Sequence, residues 1–247
     1  MAFRSKAKTG AFLILAFGLP LQAADPLAFE VRHRHLRHGA EGILRVADGG
    51  ISFEEQGKRK GHSRQWHFED IEQLTLSQNV LRILTYEDQR WRPGRNREFV
   101  FDDLPKDLAA RLYPVFSRRL DQRFVAALAD DRVRVSWELP AKLLRRTGSS
   151  QGTLLVGTEC VVYRTESPDQ SRTWRIADID SVSSSAAFDL TITSFERAGG
   201  NYAGRQDFHF ELKRPLAEAD YNGLWRKVNQ AKGLQILNSS VQERGKQ

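Results

Sequence analysis

Three runs of this 247-residue chain carry side chains that could hold a negative charge. Arg34, Arg37 and His38 form the first, and Lys58, Arg59, Lys60, His62 and Arg64 form the second. The third is Gln89-Arg90-Trp91-Arg92-Pro93-Gly94-Arg95-Asn96-Arg97, where a tryptophan sits among arginines. Guanidinium and ammonium groups bind phosphate and carboxylate oxygens, Arg often in bidentate fashion. A tryptophan beside them suits a boundary between apolar and wet surroundings. The chemistry on offer is recognition of an anionic group: an anionic lipid head, an envelope polymer or an acidic protein partner. The residues this assigns to ligand binding are Arg34, Arg37, His38, Lys58, Arg59, Lys60, Arg90, Trp91, Arg92 and Arg95. The competing reading is a set of solvated loops that keep the protein soluble.

Other chemistries find less support. His33 and His35 share one face of an alternating segment, and neutral imidazoles on one face can chelate a metal. The flanking arginines repel a cation, and no nearby acid or cysteine completes a set. No metal site is assigned; a pH-sensitive anion site is the other reading of these histidines. Cys160 is the only cysteine, within Glu159-Cys160-Val161-Val162-Tyr163, and reads as a small buried hydrophobe. It permits neither an internal disulfide nor a cysteine zinc site. Nucleophile elbows, zinc-protease helices and phosphate-cradling glycine loops do not occur, so the reading is non-enzymatic and without cofactor.

The elements that must position these groups are built around a repeat. Arg64-Gln65-Trp66-His67-Phe68-Glu69-Asp70-Ile71-Glu72-Gln73-Leu74 returns without a gap as Arg172-Thr173-Trp174-Arg175-Ile176-Ala177-Asp178-Ile179-Asp180-Ser181-Val182. A match in this order points to a duplicated unit. Gly42 to Val46 likewise matches Gly152 to Val156. Alternating segments at Phe29 to His35, Ile43 to Val46, Ile51 to Glu54, Trp66 to Phe68, Leu74 to Leu76, Leu81 to Thr85 and Phe99 to Phe101 read as strands. Leu108, Leu112, Phe116 and Leu120 recur at helical spacing, with Pro105 in the first turn and Asp103 as the cap. Phe124 to Leu128 is open to continuing that helix. Residues 87–96 read as a polar loop. Trp66 and Trp174 are expected in the core, and Asp70 and Asp178 as local caps at a strand bend.

A hydrophobic fraction of 40% and a charged fraction of 28% fit a soluble globular chain. Residues 1–24 read as a cleaved signal peptide, with Arg4, Lys6 and Lys8 before a short apolar run, so the expected location is secreted or periplasmic; an uncleaved membrane anchor is the alternative. Losing those three cations takes the formal charge from +7 to +4, which makes nucleic acid an unlikely partner. The expected division is a first unit over 27–128, a second over 131–234 and a polar tail over 238–247.

The order of these elements resembles the pleckstrin-homology-like superfamily, including GRAM-type and bacterial relatives. The features that carry it are Gly42-Ile43-Leu44-Arg45-Val46, Gly50-Ile51-Ser52-Phe53-Glu54, the Trp66 to Leu74 stretch with its Asp-Ile step, Phe99-Val100-Phe101 and the helix around Leu112-Tyr113, with their second copies. The resemblance implies a mainly β protein of two tandem barrels, each about seven antiparallel strands closed by a C-terminal α-helix. It also implies that the three basic connections converge at the open end of the first barrel, and that the protein is a binding module rather than an enzyme. The second unit is poorer in basic loops. It has Lys142, Arg145 and Arg146, set against the acidic run Glu166-Ser167-Pro168-Asp169.

Overall fold

The computed structural model describes residues 27–34, 39–57, 61–105, 107–197 and 204–232. The expected signal peptide and polar tail, and His35, Arg37, His38, Lys58, Arg59 and Lys60, lie outside the described residues. The strands are β1 (Leu27–His33), β2 (Ala40–Ala47), β3 (Gly50–Glu55), β4 (Arg64–His67), β5 (Ile71–Ser77), β6 (Leu81–Gln89) and β7 (Arg92–Asp102), then β8 (Phe124–Ala127). They continue as β9 (Val135–Leu144), β10 (Ser149–Gly157), β11 (Cys160–Thr165), β12 (Arg172–Arg175), β13 (Ile179–Ser183), β14 (Asp189–Arg197) and β15 (Arg205–Leu212). Helix α1 (Leu108–Arg119) follows β7, and α2 (Glu218–Ala231) follows β15.

The alternation read from the sequence sets which side of each strand is buried. In β2, Ala40, Gly42, Leu44 and Val46 point inward while Glu41 and Ala47 face out. Gly42 and Gly152 recur because there is no room for a side chain: a Cβ would lie 2.4 Å from the Glu54 carbonyl oxygen and 2.2 Å from that of Arg164. Trp66 and Trp174 are both buried, each edge-on to a phenylalanine, Phe99 at 4.9 Å and Phe208 at 4.8 Å between ring centres.

The pairing overturns the expectation of two separate barrels. All fifteen strands form one open mixed sheet, in the order β13-β14-β15-β9-β10-β11-β12-β8-β5-β6-β7-β1-β2-β3-β4. The same seven-strand order occurs on either side of β8. Yet β4 does not pair with β5, nor β12 with β13, so neither array is closed by backbone bonds. Each array carries its own core, one around Leu44, Trp66, Leu74 and Phe101 and the other around Val156, Trp174, Ile192 and Phe210. The joint is β8, which is not helical. It runs parallel to β5, with Leu74 opposite Phe124 and Leu76 opposite Ala126, and antiparallel to β12, with Thr173 opposite Ala126. A short, continuously apolar run cannot be told from a buried helical turn by periodicity. Here its amides and carbonyls are needed by two strand edges.

The helix stripe holds as expected, with Leu108, Leu112 and Phe116 buried. Its start does not. The helix begins at Leu108, Pro105 precedes it, and Asp103 takes a positive φ of 63° and pairs with Arg32 at 2.9 Å instead of capping. In α2, Leu224 and Val228 are buried while Trp225 is 47% exposed.

The two copies of the repeat differ at their bend in a way that fastens the halves together. In the first copy the 3₁₀ turn Phe68–Asp70 has no side-chain cap. In the second, Asp178 accepts from the Arg175 backbone amide at 3.3 Å and holds the Arg175 guanidinium through both oxygens at 2.6 Å. The other side of that guanidinium donates to the carbonyls of Ser117, Leu120 (3.0 Å) and Asp121. A cation is thus seated where the last carbonyls of α1 lack partners and the helix dipole is negative. His67 occupies the matching position of the first copy. Arg175→Met should lower the unfolding free energy by roughly 3 kcal/mol, because the buried Asp178 carboxylate and the helix carbonyls are left unpaired. Urea denaturation at neutral pH reads this directly, and a loss below about 0.5 kcal/mol would show that the clasp is ornamental.

Candidate functional site

The sequence-predicted residues that the structure describes fall into two kinds. Arg34 is engaged: its Nε and Nη2 donate to both Asp102 oxygens at 2.8 and 2.7 Å, and that pairing raises the Arg34 pKa. Arg90, Trp91, Arg92 and Arg95 sit at the end of a hairpin. The segment read as a loop is paired almost to its tip, with Asp88 opposite Asn96, Gln89 opposite Arg92, and only Arg90 and Trp91 in the turn. Beyond Thr85, β6 has no partner in β5, and β1 meets β7 only near its far end, so the hairpin projects past the sheet. Trp91 is 86% exposed at its tip, with the Arg90 guanidinium 5.4 Å from its ring centre. Among the described residues, no ion pair engages Arg90, Arg92 or Arg95.

The strand directions put the β1–β2, β3–β4 and β6–β7 connections at one end of the sheet. His33 is not a surface ligand. It is buried, with the rings of Phe53, Phe99 and Phe101 centred 5.7, 5.9 and 5.2 Å away. His62 stands at the loop side, its Nδ1 3.1 Å from Glu55, and the His62 backbone amide holds the Glu55 carboxyl below its usual range.

The arginine that opens the repeat proves to be one half of a duplicated ion pair. Arg64 on β4 reaches Glu87 on β6, donating to both carboxylate oxygens at 2.9 and 2.8 Å, and its guanidinium lies 5.1 Å from the Phe99 ring centre. Arg172 on β12 faces Glu196 on β14 at 3.5 Å and lies 5.7 Å from the Phe208 ring centre. Side chains thereby bridge the gap that backbone pairing leaves open in each array. Sequence reasoning missed both glutamates. Thr85-Tyr86-Glu87 returns as Ser194-Phe195-Glu196, a signal displaced by a single residue from the spacing of the arginines.

The second pair is drawn inward: the Glu196 side chain is 11% exposed, against 50% for Glu87. It also accepts from Trp174 Nε1 at 3.1 Å. Burial pushes the Glu196 carboxyl above its usual range, and the Arg172 charge and the indole N–H only partly oppose this. Around this pair lies a groove of about 580 Å³ between the halves of the sheet. Gln73, Thr75 and Val125 line it from the first half, and Leu143 to Thr147, Gln170, Arg172, Glu196, Arg197 and Gln206 to His209 from the second. Arg197 ties the two walls, donating to both Glu72 oxygens at 2.7 and 2.8 Å while its backbone amide donates to Gln73 Oε1 at 2.8 Å. Asn96 of the projecting hairpin donates to the same Glu72.

Two further groups are silenced by burial. The Cys160 thiol is pushed up to about 11 and the Tyr113 phenol to about 12, both chiefly by loss of solvent. A thiol so placed is a poor nucleophile at neutral pH.

No family model matches the chain, and no curated protein matches it. Among solved structures it is similar to the C-terminal domain of an unknown protein from Leishmania infantum, at 9% identity and a TM-score of 0.29, over 38% of this chain and 83% of that one. It is also similar to the Spt16D Pob3N heterodimer, at 11% identity and a TM-score of 0.33, over 68% of this chain and 82% of that one. Likenesses of this size do not place the chain in a family, and the pleckstrin-homology-like resemblance rests on the order of its own elements.

The raised Glu196 pKa has a definite sign for stability. A carboxyl easier to protonate when folded favours the fold most at or below the ordinary glutamate range, near about 4.3. That contribution is lost as the pH rises through the folded value. The stability of the wild type relative to Glu196→Gln should therefore decline between pH 4 and pH 7 in paired urea titrations. A relative stability that rises over that interval contradicts the assignment.

Proposed function

We propose that this is a non-enzymatic binding protein of the cell envelope or secreted fraction, an adaptor whose first half contacts an anionic group through its basic end. The observation that carries the reading is the β6–β7 tip: a nearly fully exposed Trp91 between Arg90, Arg92 and Arg95, none of them ion-paired among the described residues. Proteins commonly pair or disperse such side chains. Three unpaired guanidinium groups around an exposed indole suit an anionic interface, which the ring enters while the charges stay wet. The element order resembling pleckstrin-homology-like and GRAM-type modules points the same way, and residues 1–24, read as a leader, supply the location. Arg37, His38, Lys58, Arg59 and Lys60, which lie outside the described residues, are assigned to the same basic surface from the sequence alone. Arg34, already bonded to Asp102, contributes less.

A second reading, a protein-interaction module without a small ligand, has the open sheet in its favour. The terminal strands β13 and β4 each lack one strand neighbour, and an unpaired edge can accept a partner strand.

Co-sedimentation with vesicles rich in phosphatidylglycerol, with phosphatidylcholine vesicles and with soluble polyglutamate separates a lipid surface from an acidic polymer. The expected result is salt-sensitive binding to an anionic arm. Arg90→Glu, Arg92→Glu and Arg95→Glu together should weaken it on the order of 100-fold, at about 1 kcal/mol per lost cation before any repulsion. Trp91→Ala should weaken vesicle binding selectively. Equal binding by the charge-reversed and wild-type proteins sinks the proposal.

A further inference from the structure

We infer that the groove between the halves of the sheet is a second ligand site, separate from the hairpin, and that its ligand is a small carboxylate bearing an N–H or O–H on the adjoining carbon. The inference begins with two polar atoms that the fold leaves without partners. Arg172 Nη1 and Gln170 Oε1 are both shielded from solvent and neither makes a hydrogen bond. Buried donors and acceptors are nearly always satisfied, because an orphaned one forfeits its hydration without replacement. Here a donor and an acceptor are orphaned two residues apart, and both residues line the same groove.

The first copy of the repeat serves as an internal control. Arg64 closes on Glu87 with two short hydrogen bonds. Arg172, at the matching position, keeps only a 3.5 Å approach to Glu196, whose other oxygen is given to Trp174 Nε1. Its longer approach to Glu196 leaves Nη1 without an acceptor among the described residues, and a groove occupant that met it would supply one. A planar two-oxygen acceptor matches the guanidinium fork, and an N–H or O–H beside it would satisfy Gln170 Oε1.

The wall charges agree. Arg197 is consumed by Glu72, and Asp207 accepts from Thr193 at 2.7 Å. Arg145 and Arg146, in the turn between β9 and β10, make no ion pair among the described residues and line the same groove of about 580 Å³ as Asp169 and Glu196. That volume lies within the range of small-molecule sites. The neighbouring carboxylates disfavour a doubly charged phosphate more than a singly charged carboxylate.

Calorimetric titration of the full chain with N-acetylalanine tests this, with acetate, N-acetylalanine methyl ester and inorganic phosphate as comparisons. N-acetylalanine should bind and the ester should not. Gln170→Leu should weaken N-acetylalanine at least tenfold while leaving acetate unchanged. Arg145→Ser with Arg146→Ser, two surface changes with little bearing on folding, should also weaken it. The hairpin variant Arg90→Glu/Arg92→Glu/Arg95→Glu should bind N-acetylalanine as the wild type does, so the two sites fail or succeed separately. Absence of binding by the wild type at roughly 10 mM, or equal binding by Gln170→Leu, overturns the proposal. Phosphate or acetate binding as tightly as N-acetylalanine overturns the ligand class.

Discussion

Every backbone amide and carbonyl removed from water must find a partner, and in this protein that requirement converges on four residues. Phe124 to Ala127 are all buried and present hydrogen-bonding groups on both sides, to β5 in one array and β12 in the other. The contact is reinforced from beyond the strand. Leu74 donates to the Arg123 carbonyl at 2.9 Å, and Thr173 donates to the Leu128 carbonyl at 2.8 Å while accepting from the Asp130 amide at 3.0 Å. Two arrays that would otherwise present facing edges are joined through a shared strand. The groove follows from this joint: Val125 forms part of its wall, and the first-half residues Gln73 and Thr75 reach it because β5 is held beside β8.

One constellation occurs in both arrays, in different surroundings. Arg, Glu, Trp and Phe meet in each array with similar ring geometry. In the first copy the ion pair is half exposed, where such a pair contributes little to stability. In the second it is mostly buried beside the groove, where desolvation opposes the charge on Glu196. The same divergence appears at the bend. The second copy has an arginine that reaches the end of α1, and the first has His67 with no cap on the turn that follows. The second array is thus the one whose bend grips the end of α1.

Much of the scaffold was legible in the sequence because burial imposes periods. The repeated stretch, the alternating strands, the recurrent Gly42 and Gly152, the stripe of α1 and the buried Trp66 and Trp174 all register as pattern. What escaped was whatever depends on neighbours distant in the chain. Phe124 to Leu128 has no period that separates strand from helix, so the single sheet was read as two barrels. The hairpin tip was visible as a run of arginines around Trp91, but its strands were not, because exposed polar residues such as Glu87 to Arg90 show no alternation. Gln170 carries no motif, Glu196 only the displaced echo of Glu87, and these two meet Arg145 only after β9, β12 and β14 are placed.

Arginine therefore means different things at different places here, and its partners decide which. Arg175, Arg197 and Arg64 are fixed by carboxylates or carbonyls and act as structural fasteners. Arg90, Arg92 and Arg95 keep their hydration and charge at a projecting tip. Arg172 stands between these states, mostly buried yet only loosely held. A buried guanidinium without full satisfaction is a standing free-energy deficit, and any acceptor that completes its hydrogen bonds recovers part of that deficit on binding. That argument applies to Arg172 and not to Arg64, whose bonds are already made. It is why the counterpart of a purely structural pair can be the better place to look for a ligand.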